Sequence, residues 1–583
     1  MDDVTPLAHH RRRRSGRVRR VNGPLVEVTG LAEAAMFDVV DVGRLRIPAE
    51  TVAIAGDTVT LQAYEYTGGL KVGDPVVPAG RPLSVRLGPG LLGQVFDGLL
   101  RPLSSAPVWL TPTQRTGHLG RRWPFAPEVE AGQRVGPGET VGTVVTDGGL
   151  LHRVLVPPGT SGTVTGVVDA GEIDDDATVA RVGDTELRLW EYWPVRRPRP
   201  FTQREDAVAP LHTGQRVLDL LFPVSRGSAA AVPGGFGTGK TVLLQQIAKW
   251  CDADVIVYVG CGERGNEMAD VLVDFAGLTD PRTSGRLIDR TVIIANTSNM
   301  PMMAREASIY TAITVGEYFR DMGYDAVVIA DSTSRWAEAL REFASRTGAL
   351  PAEEGYPADL ASALAAFYQR AGRVRTLGGS DASVTVVGAV SPPGGDLAEP
   401  VTTATQRFVQ AVWSLDRDLA YSRHYPAVSW SGSFARQIDA VGAWQVDHGD
   451  PGWAERRARA ATLLAEADRL TALAEIIGAG TLPGRERMVM LAGRLIREAV
   501  LMQSALNETD AACSPQRGAA LLQAVLDVVD ACLRLIEHGV PATTVEEIDF
   551  GPLIRLREDA GAVTPEAVRS RRDQVLHDLE VLA

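Results

Sequence analysis

The chain contains, at positions 234–241, the stretch Gly234-Gly235-Phe236-Gly237-Thr238-Gly239-Lys240-Thr241, which fits the pattern G-x-x-x-x-G-K-[ST]. Small apolar residues at 229–232 precede it as a short strand, and the run 242–247 follows it as a helix start. Glycines in such a unit allow a tight loop whose backbone N–H groups point at phosphate oxygens. Lys240 is expected to contact the β- and γ-phosphates, and the Thr241 hydroxyl to ligate magnesium. The stretch therefore predicts a phosphate-binding P-loop in a parallel α/β domain.

Two acidic residues follow apolar runs in the same region. Asp331 ends the run 326–330, and Glu263 follows the run 255–259. A strand-end aspartate downstream of a P-loop is the usual second magnesium ligand. A carboxylate just past a strand faces the crevice where an α/β sheet binds its ligand, so Glu263 is a candidate to align a water that attacks the γ-phosphate. From position alone, a surface glutamate paired with Arg264 is an equally good interpretation.

The rest of the chain divides by its hydrophobic pattern. Short β-like segments run to about residue 190, strand-like runs alternate with helical patterns from about 201 to 435, and the period is helical beyond 440. The predicted segments are a basic disordered arm (1–15), an N-terminal β-barrel (16–85), a connector (86–104), an inserted β-rich domain (105–190), the P-loop α/β domain (191–435) and a C-terminal helical domain (436–583). In the helical domain, one predicted apolar helix face comprises Leu463, Ala467, Leu470, Ala474 and Ile477.

The composition limits the function classes. Of the 59 basic residues, only three are lysines, so a retained lysine such as Lys240 is a candidate for a site that arginine cannot serve. The four cysteines show no metal-binding or disulfide spacing, and no apolar run reaches the roughly 18 residues of a membrane span. A formal charge of −13 disfavours a general nucleic-acid binder. We expect a cytoplasmic protein.

Several further stretches match one family. They are Arg19-Arg20-Val21-Asn22-Gly23-Pro24-Leu25-Val26, the P-loop, residues 262–268, Asn296-Thr297-Ser298-Asn299-Met300-Pro301, residues 304–310, 318–324 and 331–342, Glu353-Glu354-Gly355-Tyr356-Pro357, Ser391-Pro392-Pro393-Gly394-Gly395-Asp396 and His424-Tyr425-Pro426-Ala427. Through these the chain resembles the catalytic A subunit of V-type/A-type rotary ATPases, over nearly its whole length from Gly16. The β-rich insertion distinguishes that subunit from the F-type β subunit.

The resemblance implies a RecA-like nucleotide-binding core that binds ATP or ADP with Mg²⁺ and hydrolyses or synthesises ATP. It also implies an alternating heterohexamer with non-catalytic B-type subunits, joined by central and peripheral stalk subunits to a membrane rotor on the cytoplasmic side. Carried over by position, Glu263 is the catalytic glutamate, Arg264 and Lys240 contact phosphate, and Thr241 and Asp331 hold magnesium. The implied nucleotide-binding residues are Gly234, Gly235, Phe236, Gly237, Thr238, Gly239, Lys240, Thr241, Val242 and Tyr425.

Several positions depart from the family pattern, and three of them bear on the site. Thr238 stands where some eukaryotic relatives have a cysteine, so redox control there is not expected. Ser429 replaces an asparagine, and Leu506 aligns with a phenylalanine near the adenine. Because leucine has no ring face for stacking, Tyr425 would be the main aromatic against the base, and base selectivity would be looser.

Other functions remain as alternatives. One is another hexameric P-loop motor, such as a Rho-like RNA helicase or a type III export ATPase. Another is a non-catalytic assembly subunit that binds nucleotide without turnover. The resemblance implies either H⁺ or Na⁺ as the transported ion and either a pump or a synthase. No arginine in the chain is an obvious finger in cis, so the resemblance implies one from the neighbouring B subunit.

Overall fold

The computed structural model describes residues 15–103, 120–280, 282–348 and 350–581. Of the predicted basic arm 1–15, only Ser15 falls within these ranges, and residues 105–119 of the predicted insertion lie outside them. The chain divides into two compact units, Met1–Asp206 with Ala253–Gly388, and Ala207–Asp252 with Ala389–Ala583. Each is described by itself.

The first unit begins with a closed β-barrel. Its strands are β1 (Gly16–Asn22), β2 (Leu25–Thr29), β3 (Asp38–Val42), β4 (Ile47–Ala55), β5 (Thr58–Ala63) and β6 (Pro75–Pro82). They close in the order β1-β2-β5-β4-β3-β6. The sequence alternates along these strands, so that Val18, Val26 and Val28 point into a core of small apolar side chains. Gly23 makes the turn between β1 and β2 with a φ of +58°.

Two four-stranded sheets form the β-rich insertion. The strands that frame and build it are β7 (Ser84–Leu87), β8 (Val95–Phe96), β9 (Arg122–Pro127), β10 (Arg134–Val135), β11 (Thr140–Val145), β12 (Leu151–Leu155), β13 (Gly162–Val167), β14 (Gly171–Asp174), β15 (Thr178–Val182), β16 (Thr185–Arg188) and β17 (Glu191–Pro194). The sheets have the orders β10-β13-β15-β16 and β12-β11-β9-β14, and β17 pairs with β7. Alternate residues of β9, Trp123 and Phe125, are buried in one core with valines of both sheets.

The α/β region follows the insertion. Its elements are β18 (Gln203–Glu205), α1 (Arg216–Leu221), β19 (Ala229–Pro233), α2 (Lys240–Trp250), β20 (Val255–Glu263), α3 (Gly265–Gly277), β21 (Thr291–Thr297), α4 (Met302–Asp321), β22 (Ala326–Asp331), α5 (Thr333–Thr347), α6 (Leu360–Tyr368), β23 (Gly372–Arg375) and β24 (Asp381–Val390). In the first unit, β8, β21, β20, β22 and β24 lie side by side and parallel. These strands are nearly continuous in valine, isoleucine and alanine because both faces of such a sheet are covered.

The second unit contains the P-loop strand and the C-terminal helices. Its remaining elements are α7 (Pro400–Phe408), β25 (Ala411–Val412), α8 (Arg417–Tyr421), β26 (Phe434–Ala435), α9 (Ile438–Asp447), α10 (Trp453–Ile477), α11 (Gly484–Leu495), α12 (Pro515–Glu537), α13 (Ala542–Glu546), α14 (Gly551–Ile554) and α15 (Pro565–Glu580). β25 lies parallel to β19 and antiparallel to β26.

The predicted apolar face of α10 is only partly buried. All five residues lie on this one helix, as predicted. Leu463, Ala467 and Leu470 are in the core, whereas Ile477 is 46% exposed, so the shared face leaves the core in the last turn of the helix. The observed elements agree with the predicted class, an α/β core with an N-terminal barrel, a β-rich insertion and a C-terminal helical region. Within the described residues, no helix has the length and apolar character needed to cross a membrane.

Candidate nucleotide site

The predicted P-loop connects β19 to α2 in the second unit. β19 is fully buried, and α2 begins at Lys240 directly after the loop. Gly239, the residue before the helix, has a φ of +83°, which side-chain-bearing residues rarely adopt. A Cβ at this glycine would also lie 3.4 Å from the Tyr425 ring. The first-turn N–H groups of α2 carry the positive end of the helix dipole, so this loop is built to bind an anion.

The side chains of the loop are held in different ways. Lys240 Nζ donates to the carbonyl of Gly234 at 3.1 Å and lies next to the Ser391 hydroxyl. The Thr238 hydroxyl donates to the Gly235 carbonyl at 2.8 Å, which closes the loop from inside. Phe236 is 90% exposed. The ammonium of Lys240 therefore lies over the loop that would hold phosphates, and Thr238 has a structural bond of its own.

A cavity of about 570 Å³ lies beside the loop, entirely within the second unit. Its lining includes Gly237, Gly239, Val242, Tyr425 and Leu506. Tyr425 is 42% exposed and Leu506 is 98% exposed, so both offer apolar surface to a ligand. The volume is in the range of small-molecule sites. The structure thus brings Tyr425 and Leu506 together next to the P-loop.

Polar side chains in the same lining are already engaged. Gln503 accepts a hydrogen bond from the Arg216 N–H at 2.9 Å and donates one to the Gly214 carbonyl at 2.8 Å. Ser429 does not line this cavity: its hydroxyl accepts from the Gly432 N–H at 3.0 Å in a turn. Of the two departures linked to base selectivity, only Leu506 lies at the cavity.

The predicted acidic residues lie in the first unit, at the ends of neighbouring parallel strands. Glu263 ends β20 and Asp331 ends β22, with Gly260 and Asp331 in register. The Tyr258 hydroxyl donates to Asp331 Oδ2 at 3.1 Å, and Asp331 is 4% exposed. Carboxyl ends of adjacent parallel strands form one edge, so both carboxylates face the side where such sheets bind ligands.

The electrostatics of this edge act mainly on Glu263. Burial, together with the negative charges of Asp331 and Glu267, raises the pKa of Glu263 to about 8, while Arg335 opposes this rise. A carboxylate with a raised pKa is more basic than usual and suits the acceptance of a proton or hydrogen bond from water. Arg264 is largely exposed and forms its ion pair with Glu267 at 3.9 Å. The interpretation of Glu263 as an Arg264-paired surface glutamate is therefore not supported.

Two arginines near Glu263 were not predicted from the sequence. Arg335 lies one helical turn past Asp331 on α5, and its charge acts on Glu263 and Glu267. Its spacing of four residues from a strand-end aspartate is the signal that could have identified it. Arg305, on the first turn of α4, lies against Gly262. Nothing in the local sequence pattern indicates this second contact, because it joins different elements.

The donors at the predicted magnesium positions are chemically suitable. The Thr241 hydroxyl and the Asp331 carboxylate are hard oxygen ligands, and Mg²⁺ at phosphate sites takes only one or two protein ligands. Taken with the glycine-rich loop and the parallel sheet, the site residues define the chain as a P-loop nucleotide-binding protein of the α/β class.

Comparison with known families gives a narrower assignment than this class. The family models that match describe the ATP synthase alpha/beta family nucleotide-binding domain (residues 214–435), its beta-barrel domain (18–80), its barrel-sandwich domain (118–196) and the C-terminal domain of V and A type ATP synthase (443–545). The last of these distinguishes the V and A types.

Individual relatives agree. The V-type ATP synthase alpha chain of Nitrosococcus oceani is 49% identical over 539 residues, covering 90% of this chain and 91% of the relative. The corresponding A subunit of the A-type ATP synthase of Staphylothermus marinus is 43% identical over 581 residues, covering 97% and 98%. The chain belongs to the family of V-type ATP synthase alpha chains and A-type ATP synthase A subunits. The predicted resemblance is thereby confirmed.

A solved structure supports the fold alone. The assembled ATPase EscN, from the type III secretion system of enteropathogenic E. coli, superimposes with a TM-score of 0.63 at 22% identity, covering 88% of this chain and 100% of EscN. The export ATPase alternative thus shares the architecture, whereas the sequence identity assigns the chain to the V/A-type family.

Proposed function

We propose that this chain is the catalytic subunit of a rotary V/A-type ATPase, which couples ATP hydrolysis or synthesis to H⁺ or Na⁺ transport through a rotating central stalk. The observation that carries the proposal is the joint presence of Lys240 in a formed P-loop and of Glu263 at the end of β20. A chain that binds nucleotide only structurally needs the first but not the second. The family membership and the near-complete coverage of both relatives support the same assignment.

The phosphate-binding residues act by charge and by fixed dipoles. The loop amides, Lys240 and the start of α2 bind the β- and γ-phosphates of ATP, with Gly234 to Val242 forming the cradle. Thr241 and Asp331 would hold Mg²⁺, which neutralises phosphate charge when it is bound. Tyr425 contacts the base, since its ring is exposed in the cavity beside Gly239.

The hydrolytic step depends on the carboxylates at the ends of β20 and β22. Glu263 aligns the attacking water and accepts its hydrogen bond, a role suited to its raised pKa. Arg264, which is exposed, contacts phosphate, and the positive charge of Arg335 favours the ionised form of Glu263. Preorganised charges of this kind stabilise the transferring phosphoryl group without rearrangement during the reaction.

The chain is part of a multisubunit ATP synthase complex. More specifically, it alternates with B-type subunits in a heterohexamer and contacts central and peripheral stalk subunits, which link it to the membrane rotor from the cytoplasmic side. No nucleic acid is bound. A neighbouring B-type subunit supplies the arginine finger, so the isolated chain hydrolyses ATP poorly.

The test is Glu263→Gln in the complex purified with its other subunits. The amide keeps the shape but cannot act as a base, so we expect kcat for ATP to fall by about 10²–10³-fold with unchanged nucleotide affinity. Glu342→Gln is the matched control, because Glu342 is a surface residue of α5 paired with Arg346. Turnover of Glu263→Gln at the rate of the control would refute the assignment.

A further inference from the structure

We propose that Arg305 is a positioning residue for ATP turnover, which holds the backbone of Gly262 and Glu263 in place from the first turn of α4. This inference rests on the role proposed for Glu263. Arg305 acts through three links rather than on the reacting atoms. They are the chain segment between β21 and α4, direct packing on Gly262, and an anchor of its own backbone through Ser308.

The first link is a backbone relay through Ser298. The N–H of Ser298 donates to the carbonyl oxygen of Glu263 at 2.9 Å. The carbonyl of the same serine accepts a hydrogen bond from Arg305 Nη2 at 3.0 Å. Ser298 is therefore held on one side by the arginine and holds Glu263 on the other.

The second link is the packing of the arginine on Gly262. A Cβ placed on this glycine would lie 2.8 Å from both Cδ and Nε of Arg305. The side chain thus occupies the space that any other residue type would fill. Its Nε is buried and makes no hydrogen bond to the described residues. Because Nε makes no such bond, the position of this part of the side chain is set by packing on Gly262.

The third link anchors the arginine's own backbone to the same strand end. The Ser308 hydroxyl donates to the carbonyl of Arg305 at 2.7 Å and lies 3.4 Å from Cys261 Sγ. α4 is buried along almost its whole length from Met303 to Arg320, so it is a rigid support. The last three residues of β20 (261–263) are all fixed from this helix and the segment before it.

Precise placement matters because a catalytic carboxylate must meet its water in line. A displacement of about 1 Å is enough to lower a rate by about 10²-fold. The phosphate-binding loop belongs to a different segment, residues 234–241, and none of the three links to Arg305 involves it. Loss of these links is therefore expected to lower kcat while nucleotide affinity stays the same.

The experiment compares Arg305→Met and Arg305→Lys in the purified complex. Methionine keeps much of the apolar stem and loses the bond to Ser298, so we expect kcat to fall by about 10- to 100-fold, with the KM for ATP and the affinity for ADP within about twofold of wild type. Lysine retains a donor for the Ser298 carbonyl and should recover part of the rate. Arg286→Met is the control, because Arg286 is an exposed residue paired with Asp289.

The outcomes separate the two proposals. Wild-type kcat in Arg305→Met, beside an inactive Glu263→Gln, would overturn the positioning role alone. Full turnover in Glu263→Gln would overturn the proposed function itself. A parallel loss of kcat, nucleotide affinity and thermal stability in Arg305→Met would show a merely structural role and also overturn the inference. If Arg305→Met does not assemble, Arg305→Lys decides: reduced kcat at unchanged affinity supports the role, and wild-type kcat overturns it.

Discussion

Replacement of Gly262 by alanine tests how closely the end of β20 is constrained. The φ of Gly262 is +73°, a region that costs a residue with a Cβ roughly 1–2 kcal/mol. The new methyl group would also lie 2.8 Å from two atoms of Arg305. Since carbon atoms pack at about 3.5 Å, either the arginine or the strand end must move by about 0.7 Å, the difference between these two distances.

That displacement falls on the residue next to Glu263. Because a shift of about 1 Å can lower a rate by about 10²-fold, we expect Gly262→Ala to reduce kcat by about 10- to 100-fold, which corresponds to about 1.4–2.7 kcal/mol in the activation free energy. Nucleotide affinity should change little, since the altered residue is not part of the P-loop.

The assay is steady-state ATP hydrolysis by the purified complex, with ADP affinity measured separately. Gly265→Ala is the matched control: Gly265 begins α3 three residues later, and a Cβ there would meet no atom within 4 Å. Alanine is favoured over glycine in a helix, so this variant should keep the wild-type rate. Equal rates for Gly262→Ala and wild type would refute the argument, as would equal losses in the two glycine variants.

Two further predictions concern base selectivity and acid stability. Tyr425 and Leu506 offer apolar contacts that any purine base can make, and the Gln503 amide is already hydrogen-bonded to Gly214 and Arg216. We therefore expect kcat/KM for GTP to be within about tenfold of that for ATP. A preference for ATP above about 10²-fold would contradict this. Complete burial lowers the pKa of His152 from its ordinary value of 6.5 to about 3, so the neutral form stabilises the fold above pH 6.5 and this stabilisation is lost as the pH falls towards 3. Between pH 8 and pH 5 the loss is about 2 kcal/mol, and urea unfolding followed by tryptophan fluorescence should show it in wild type but not in His152→Gln; equal pH dependence in both would disprove it.

The sequence predicted those parts of the site that depend on neighbouring residues. The P-loop, the strand before it and the helix after it form one continuous segment, and Asp331 and Glu263 each follow an apolar strand. Such local patterns indicate both the type of secondary structure and the end of the element at which the functional residue lies. Arg305 was not predicted, because its contact with Gly262 joins α4 to β20, and the direction of a long side chain depends on packing between elements.

The exposed end of α10 shows a second limit. Helical periodicity indicates which residues share a face, but it does not indicate which part of that face other elements cover. α11 packs on the middle of α10, where Gly493 lies against Ala467. Leu463, Ala467 and Leu470 are buried there, whereas Ile477, which continues the same spacing, is 46% exposed.

The retention of lysine at position 240 has a geometric explanation in the structure. Gly234 and Val390 carbonyls and the Ser391 hydroxyl surround one point, where a compact ammonium can donate in three directions. A guanidinium presents five donors in a plane and does not fit acceptors that converge in this way. Lys249, by contrast, lies with its Nζ 4.5 Å from the Trp250 ring centre, a contact that arginine makes equally well. In a chain whose basic residues are otherwise almost all arginine, the geometry at Lys240 thus accounts for a lysine that the composition alone would not predict.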